Sequence, residues 1–564
     1  MPSAASGPSV TLPADTNQAL GLANFALDFM WNKPGAGGCD ADPSVLARTE
    51  MFYADACLCG VSALALGTNA PNLLRAEALG YRAPATGSGT MGAPGAAKRH
   101  GATVYGSAVE VMPEKAVVAN AAAVREWDSN GTNFGYSEHR AHHRAGEFGH
   151  NDFYAVPIAA AQMMGMDGKF ALKGMLLLDE IRGRLAEVFS LKSYKIDHVV
   201  HGAIASAATF GAMLKATPEQ IESAIGMVVA HYIPFRAIRA GKQLSDSKGA
   251  SAAISTEAAI LSVRRSMAGF LGPRDIFRNP EAIFRLFEGP GQLFKKTHSA
   301  GTGIPDTKGD SKSYASPFDL VLSRAGSDFT IMGMHFKLGL YEHQSAGALQ
   351  GLIDLVNKFP GLLDDQSGDR ITKIVVKAYE PAFGIIGDPA KRDPRTRQSA
   401  DHSMLYLVCT MLRKMLELRA AKPNLGKLDW TDVMLLPHDF GPSAIDDPLT
   451  RALMDKMSFE WGGEEYDRRY PDGIPTSMVI TDDEGQVCDS GLVMYPGGHA
   501  RNTTADLKAI LNHKFESLAN LSLPRADKAA AQALINRFTA VGRKSAADIA
   551  QIHNFDLTVK GKFD

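Results

Sequence analysis

Residues 113–132 read PEKAVVANAAAVREWDSNGT, and this stretch decides the fold class of the chain. Proline suits the first turn of a helix because its missing N–H would have no partner there. The alanine-rich run that follows has high helix propensity and lets neighbouring helices approach closely. The stretch therefore predicts a helix from Pro113 to Trp127 that ends in a turn of short polar residues.

Helical patterns of the same kind fill the first half of the chain. Apolar residues fall at helical spacing from Asn17 to Trp31, and residues 49–66 are apolar on nearly every face, as in a buried helix. Thr217, followed by Pro218 and Gln220, carries the residues of a capping box. The many small residues indicate closely packed helices in one large all-α domain. Further helices are predicted over residues 157–164 and 249–267.

The second half of the chain has a different residue pattern, with stretches typical of β-strands. β-Branched residues with alternating charge predict a strand over residues 371–379. Two more strands are predicted within residues 476–494, around a hairpin turn at residues 483–485. Polar, glycine-rich residues at 83–97 and 289–316 predict surface loops.

These patterns define the expected architecture. The fold class is mainly α with an α+β part. A large all-helical domain is predicted over residues 1–320, and helices within residues 504–564 return to it. A smaller α+β lid domain is predicted over residues 321–503.

The composition argues against several classes of protein. Among 564 residues, 59 are basic and 61 acidic, so the net charge of −2 gives no electrostatic reason to expect nucleic acid or an anionic membrane surface. Five cysteines are too few for a disulfide framework. The N-terminal residues carry no targeting pattern, and no apolar run is long enough to span a bilayer. We therefore expect a cytoplasmic protein.

Polar side chains crowd the end of the helix at residues 113–127. Asp128, Asn130 and Thr132 lie within five residues in a glycine-containing turn, and His150 follows between small residues. Such groups could hold a substrate hydroxyl or carboxylate, and a histidine can transfer protons near neutral pH. The same residue types also form ordinary Asx turns at helix ends, so the pattern alone leaves a structural role open.

Histidines and cations gather in two further stretches. His198 precedes the segment FRAIRAGKQLSDSKG, in which Arg239 and Lys248 could pair with carboxylates. Lys337 and His343 lie in HFKLGLYEHQSAG and could share one face where the mixed unit begins. A solvated basic loop explains the first of these stretches equally well.

Other stretches give weaker signals. Residues 136–147 hold three histidines next to arginines that repel metal ions, so a solvated loop is expected. The charged stretch 388–402 ends in Asp401-His402 and could be a lid edge or ordinary surface. No zinc spacing, iron–sulfur set, phosphate loop or dinucleotide motif occurs. An enzyme of this sequence would work with side chains alone, without a metal or cofactor.

Four stretches share features with one known protein family. They are RITKIVVKAYEPAFGIIGDPAKRDPRTRQSADHSMLY (370–406), SDSKGASAAISTEAAILSVRRSMAGFLGP (245–273), MYPGGHARN (494–502), and WDSNGT (127–132) with the later Gly149-His150. Together they resemble the 2-methylcitrate dehydratase family (MmgE/PrpD), which also contains cis-aconitate decarboxylases. The similarity extends over about residues 45–520.

The resemblance implies a homodimer whose subunits each have an all-helical domain and a smaller α+β lid. It also implies a cofactor-free site between the domains that binds a small di- or tricarboxylate. Residues matching the family's motifs suggest catalytic roles for Asp128, Thr132, His150 and His343. Substrate contacts are predicted from Lys248, Lys337, Arg239, His198 and Asn130.

The chain also departs from the family pattern. Asn130 and Gly131 stand where relatives have two further acids, and the segment from Thr132 to His150 is longer and richer in histidine. The spacing from Lys337 to His343 also differs from that of several relatives. These departures bear on the substrate more than on the fold.

The resemblance implies a 2-methylcitrate dehydratase-like hydro-lyase. Such an enzyme abstracts an α-proton from a hydroxytricarboxylate and eliminates water. One alternative is a cis-aconitate decarboxylase-like enzyme, or an isomerase or epimerase, acting on a related polycarboxylate. A further alternative, motivated by Asn130 and Gly131, is a member without catalytic activity or with a different role.

Overall fold

The computed structural model describes residues 7–84, 99–133, 135–140, 144–145, 149–239, 243–287, 315–387 and 389–563. Most of the predicted loops at 83–97 and 289–316 lies outside these residues, as do His142 and His143. The predicted fold class is confirmed, because helices dominate the first half and the four-stranded sheet lies in the second.

Long buried helices form the first part of the molecule. The predicted capping box at Thr217 is present, with its hydroxyl bonded to the N–H of Gln220. The helices are α1 (Gln18–Trp31), α2 (Pro43–Ala65), α3 (Asn69–Gly80), α4 (Pro113–Arg125), α5 (Ala155–Met164), α6 (Gly168–Val188), α7 (Val199–Met213), α8 (Pro218–His231), α9 (Asp246–Met267) and α10 (Ile283–Phe287).

Several of these helices start or stop at other residues than predicted. Helix α2 begins earlier, at Pro43, because proline is well placed in the first turn of a helix. Helix α4 ends at Arg125, before the predicted Trp127. At Gly60 of α2, an added Cβ would lie 3.2 Å from the backbone nitrogen of Val124. Helices α2 and α4 therefore approach each other closely just before α4 ends.

Short strands tie later segments onto the helical part. Strand β1 (Ser9–Leu12) pairs antiparallel with β7 (Leu320–Ser323), and β2 (Asp40–Ala41) pairs parallel with β8 (Ala325–Gly326). The predicted boundary between residues 320 and 321 falls within β7. The other short strands are β3 (Ala102–Thr103), β4 (Glu110–Val111), β5 (Thr132–Asn133) and β6 (Gly149–His150).

The second part holds a four-stranded sheet in the order β10-β9-β11-β12. Strand β9 (Ile371–Ala378) matches the prediction and pairs parallel with β10 (Met457–Trp461) and antiparallel with β11 (Thr476–Asp482). The predicted hairpin is present, but β12 (Val487–Asp489) is short: its pairing stops before Gly491, at φ 76°, and resumes only as a bridge between Thr476 and Val493.

Further helices cover this sheet and return to the first part. The helix Leu507–Ser522 packs against α2, and its Lys514 bonds Ser129 just after α4. The remaining helices are α11 (Ala346–Lys358), α12 (Arg397–Ala400), α13 (Met404–Ala421), α14 (Trp430–Val433), α15 (Pro442–Ile445), α16 (Pro448–Asp455), α17 (Gly463–Asp467), α18 (Leu507–Ser522), α19 (Lys528–Phe538) and α20 (Ala546–Ala550).

Candidate active site

The candidate site begins in the turn that follows α4. The backbone N–H of Asp128 donates to the carbonyl of Arg125 at 3.0 Å, and Asp128 adopts a left-handed conformation with φ 51°. Aspartate is one of the few residues other than glycine that enter this region readily. The turn buries the Asp128 carboxylate completely.

Three backbone segments lie side by side next to this turn. Thr132 of β5 pairs with His150 of β6. On its other side, the Thr132 N–H donates to the His335 carbonyl at 2.9 Å, and the His335 N–H donates back at 2.7 Å. The segment that carries Lys337 and His343 is thereby joined to the helical part.

Cations surround the Asp128 carboxylate. Its Oδ1 accepts hydrogen bonds from Arg125 and Lys337, and the Lys337 ammonium also donates to the Asp128 carbonyl at 3.0 Å. Its Oδ2 lies 3.2 Å from His402 Nδ1 and 3.7 Å from Lys248 Nζ. All of these side chains are buried, so the low-dielectric surroundings strengthen each attraction.

A second buried carboxylate, that of Asp401, completes the cluster. Lys248 Nζ donates to its Oδ1 at 2.9 Å, and His402 Nδ1 lies 2.6 Å from the same atom. Asp128, Asp401 and His402 offer ligand atoms within 4.8 Å of one another, a spacing that a metal ion could use. The ammonium of Lys248 lies against both carboxylates, and this charge disfavours a metal cation there.

A cleft adjoins the cluster between the helical part and the lid part. Five of the predicted site residues lie on its wall: Thr132, His150, His198, Arg239 and His343. The described residues of the wall also include Arg125, Arg236, Glu342, Gln344, Ile386, Lys391 and His402. The other four predicted residues, Asp128, Asn130, Lys248 and Lys337, lie behind the wall.

The residues behind the wall contact other side chains of the protein and do not line the cleft. Lys248 and Lys337 contact the buried carboxylates, and the Asn130 amide donates to Asp152 Oδ1. They therefore shape the electrostatic field of the cleft from behind it.

His150 has a partner on each side of its ring. His150 Nδ1 lies 3.3 Å from His198 Nε2, and His150 Nε2 lies 3.8 Å from Asp128 Oδ1. His198 Nδ1 in turn lies 3.5 Å from Asp197 Oδ1, and Asp197 accepts two hydrogen bonds from Arg239. The ring of His150 is thus positioned by a chain of neighbours that reaches the predicted cation Arg239.

Positive charge dominates the wall of the cleft. Among the described lining residues, Arg125, Arg236, Arg239 and Lys391 are cationic, and Glu342 is the one acidic residue. Guanidinium and ammonium groups pair well with carboxylates. An arrangement with several convergent cations and several histidines suits a substrate with more than one carboxylate.

Two family models match the chain. The model for the MmgE/PrpD N-terminal domain matches residues 74–294, and the model for the MmgE/PrpD C-terminal domain matches residues 430–539. Together the matches cover more than half of the chain. This chain belongs to the MmgE/PrpD family. MmgE/PrpD enzymes are generally lyases or related enzymes, and membership supports a dehydratase-type or related enzyme that acts on a polycarboxylate.

The histidines of this MmgE/PrpD site are held in the neutral form. Burial, with Arg125 and Lys337 nearby, lowers the pKa of His150 well below its ordinary value. Burial first, and then the charge of Lys337, lowers the pKa of His343 in the same way. For His402, burial and then Lys248 lower the pKa. A neutral imidazole has the lone pair that a general base needs.

Burial also lowers the pKa of the two lysines behind the wall. The pKa of Lys248 falls to about 8, although the nearby carboxylate of Asp401 raises it. The pKa of Lys337 is lowered as well, by burial and then by Arg125. Both lysines can therefore change their charge more readily than exposed lysines.

Sequence reasoning missed several residues of this MmgE/PrpD site. His402 and Lys391 lie in the stretch 388–402, which was predicted to be either a lid edge or ordinary surface. Arg125 lies in the last turn of the predicted helix, and the sequence analysis assigns it no role in the site. The sequence ADHS (400–403) could have indicated His402 as a site residue. It places a histidine directly after an acid, within one of the four stretches that resemble the family.

The described part of the histidine-rich segment packs against residues of β7 and of the later chain. Arg140 donates to Asp328 and to the Val321 carbonyl, and Glu138 lies 3.1 Å from Arg501. His139 is exposed, as expected for a solvated loop, whereas the Arg140 side chain is mostly buried, so the expectation fails at Arg140. A second cavity is lined by Glu138, His139, Asp328 and Arg501, together with His335 and His499.

Among the described residues, no single helix has the length and apolar composition needed to cross a membrane. Helices α2 and α3 meet the length and composition test only together, and they bend by 90° where they join.

Proposed function

We propose that this protein is a hydro-lyase that eliminates water from a hydroxytricarboxylate of the 2-methylcitrate type. The observation that carries the proposal is the cationic cleft, with four cationic side chains and one acidic side chain among its described lining residues. Membership of the MmgE/PrpD family supports an enzyme of this general type. The substrate itself is our proposal.

The chemistry explains why such a cleft would be needed. Loss of a proton next to a carboxylate gives an enolate-like intermediate with additional negative charge. Fixed cations stabilise that charge in a buried site without needing to reorganise. Arg239 on the wall would bind a substrate carboxylate, while Lys248 and Lys337 would add positive potential from behind it.

Proton transfer requires side chains that reach the substrate. His150 is neutral at rest and lies on the wall, so it can exchange a proton with the substrate. Asp128 faces its Nε2 and would orient the ring, and Thr132 would hold the leaving hydroxyl or a carboxylate. His343, also on the wall, is a second acid or base.

The remaining predicted residues act through these groups. His198 contacts His150 and could also meet a substrate carboxylate from the wall. Asn130 is hydrogen-bonded to Asp152 and would help to fix the turn that carries Thr132. The chemistry proposed for these side chains needs no cofactor, because the cations of the site supply the charge stabilisation.

A direct assay tests the proposal. The purified protein is incubated separately with 2-methylcitrate and with cis-aconitate, and both the ultraviolet absorbance of the alkene and the release of CO2 are followed. We expect a rise in absorbance with 2-methylcitrate and no CO2. CO2 release from cis-aconitate would instead assign the decarboxylase alternative, and turnover of neither acid would contradict the proposal.

One variant tests the role of His150. His150→Ala should lower kcat by roughly 10²–10⁴-fold, the usual contribution of a positioned acid or base. The exposed His231 offers a matched control, since His231→Gln should leave kcat unchanged. An unchanged kcat in a folded His150→Ala protein would exclude this role.

We further propose a cytoplasmic homodimer. Phe270 and Leu271 leave 56% and 87% of their surfaces exposed, and apolar side chains of this kind are often covered in an oligomer. Sedimentation velocity should give twice the monomer mass, and a monomer at micromolar concentration would contradict the homodimer.

A further inference from the structure

His402 has a defined position between two acids and the cleft. Its side chain lies on the cleft wall, and its Nδ1 lies 2.6 Å from Asp401 Oδ1 and 3.2 Å from Asp128 Oδ2. The ring is 7% exposed, so the protein holds it in place and leaves a small accessible area.

These contacts decide which nitrogen of His402 carries the proton. Both oxygens near Nδ1 belong to carboxylates, and a carboxylate can only accept a hydrogen bond. Nδ1 is therefore protonated in the neutral ring, and Nε2 has the lone pair. Within the part of the chain that the structure describes, no hydrogen bond joins Nε2 to a protein group.

His150 differs from His402 in this respect. Its Nδ1 faces His198 at 3.3 Å, and its Nε2 faces Asp128 at 3.8 Å. The Nε2 of His150 faces a carboxylate oxygen, which favours a proton on that nitrogen, whereas the Nε2 of His402 has the lone pair. Of these two histidines, His402 is the one with an available basic atom at the cleft.

We infer that His402 is a second catalytic residue and accepts the α-proton of the substrate at Nε2. This inference rests on the proposed elimination reaction, which needs one proton acceptor and one proton donor. Asp401 and Asp128 lie where they would stabilise the imidazolium that forms, as a carboxylate does in other catalytic histidine pairs.

In this reaction His150 donates the proton that the leaving hydroxyl needs. The C–H bond breaks, its proton goes to His402 Nε2, and its electron pair becomes the new C=C bond. The C–O bond breaks at the neighbouring carbon, and the hydroxyl takes a proton from His150 and leaves as water. For this step the anionic substrate must first promote protonation of His150. His402 then releases its proton to solvent, and His150 takes one up.

A variant with chemical rescue tests the role. His402→Ala should lower kcat by roughly 10²–10⁴-fold. Its dissociation constant for tricarballylate, measured by calorimetry, should change less than threefold. Added imidazole should restore part of the activity, which repair of a structural defect would not explain. His231→Ala is the matched control and should be neither impaired nor rescued. A folded His402→Ala protein without an activity loss, or with a loss that imidazole cannot rescue, would overturn the inference.

A second measurement does not depend on turnover. Diethyl pyrocarbonate modifies neutral histidine nitrogens that it can reach, and peptide mass mapping locates the product. We expect modification of His402, and protection of it by tricarballylate. An unmodified His402 under conditions that modify exposed His231 would overturn the inference. If the wild-type protein turns over neither acid, the proposed reaction fails, but this mapping still decides whether Nε2 is open to the cleft.

Discussion

Two buried aspartates beside the same turn have very different surroundings. Asp55 meets the ammonium of Lys514 at 2.6 Å, and that ammonium also donates to the carbonyls of Ser129 at 2.7 Å and Lys337 at 2.8 Å. Asp55 and Lys514 are both fully buried. Asp128, in contrast, meets several cations and borders a cleft.

The difference separates a structural ion pair from a reactive cluster. The Lys514 ammonium lies against an Asp55 oxygen and two backbone carbonyls, none of which borders the cleft, so this pair is closed and joins the Asp128 turn to the Lys337 segment. On the cleft wall the cations outnumber the acids, and Arg125 and Arg239 also pair with the buried Asp128 and Asp197, so the cleft can gain from a bound anion. Burial alone does not mark a functional charge, but an unbalanced set of charges beside a cleft does.

The largest expected effect comes from breaking the closed pair. Lys514→Met leaves Asp55 buried and unpaired, which should lower the free energy of unfolding by about 3–5 kcal/mol. Urea denaturation measures this loss. The double variant Asp55→Leu with Lys514→Met removes both charges and should recover much of the stability. If the single and double variants are equally unstable, the pair is not the reason.

Changing the reactive cluster should reduce activity more than stability. Asp128→Asn should lower kcat roughly 10²–10³-fold, because the orientation of His150 and the charge near the transition state both change. Its stability should fall less than that of Lys514→Met, since Lys248 and Lys337 have lowered pKa values and can lose a proton. Steady-state kinetics and urea denaturation on the same preparation test both statements. Equal stability losses in the two variants would remove the distinction between the clusters.

A smaller effect follows from the Lys248 pKa of about 8. Above this pH the folded protein has lost a proton that an unfolded lysine keeps until about pH 10.4. The unfolded state then binds more protons, so this group makes stability rise with pH across that window, by about 1.4 kcal/mol per unit. Below pH 8 the unfavourable charge of Lys248 is fully present.

The Lys248 effect is measured as a difference between two proteins. Unfolding free energies of the wild type and of Lys248→Met are compared at several pH values between about 7 and 10. The wild type should gain relative to the variant as the pH rises above about 8. A constant difference would show that Lys248 keeps its proton in the folded state.

The smallest effect is expected at the edge of the second cavity. Arg501 and Glu138 form a pair whose side chains are 26% and 53% exposed. Such pairs contribute about 0–1 kcal/mol, so Glu138→Gln should leave the melting temperature and kcat nearly unchanged. A large fall in kcat would mean that the histidine-rich segment takes part in closing the site.

Local patterns predicted much of the fold. The Ala-rich run ending at Arg125, the capping box at Thr217 and the hairpin after Asp482 each depend on neighbours within a few residues. The interactions that stabilise these elements are local, so periodicity and turn residues are enough to predict them. The start of α2 at Pro43 differs from the prediction because proline is well placed in the first turn of a helix.

The non-local contacts could not be predicted in this way. Lys514 bonds the carbonyl of Ser129 across 385 residues of sequence, and Lys248 bonds Asp401 across 153. No periodicity reports which distant segments meet. For the same reason, the sequence suggested that Lys248 and Lys337 contact the substrate, whereas folding places both behind the wall and brings His402 onto it.

The most direct test of the cationic cleft is a crystal structure of the protein with bound tricarballylate. We predict that its carboxylates lie in the cleft beside Thr132 and His150 and contact Arg239 and at least one of Arg125 and Arg236. Binding of the tricarboxylate at another place, with the cleft filled only by solvent, would contradict the account.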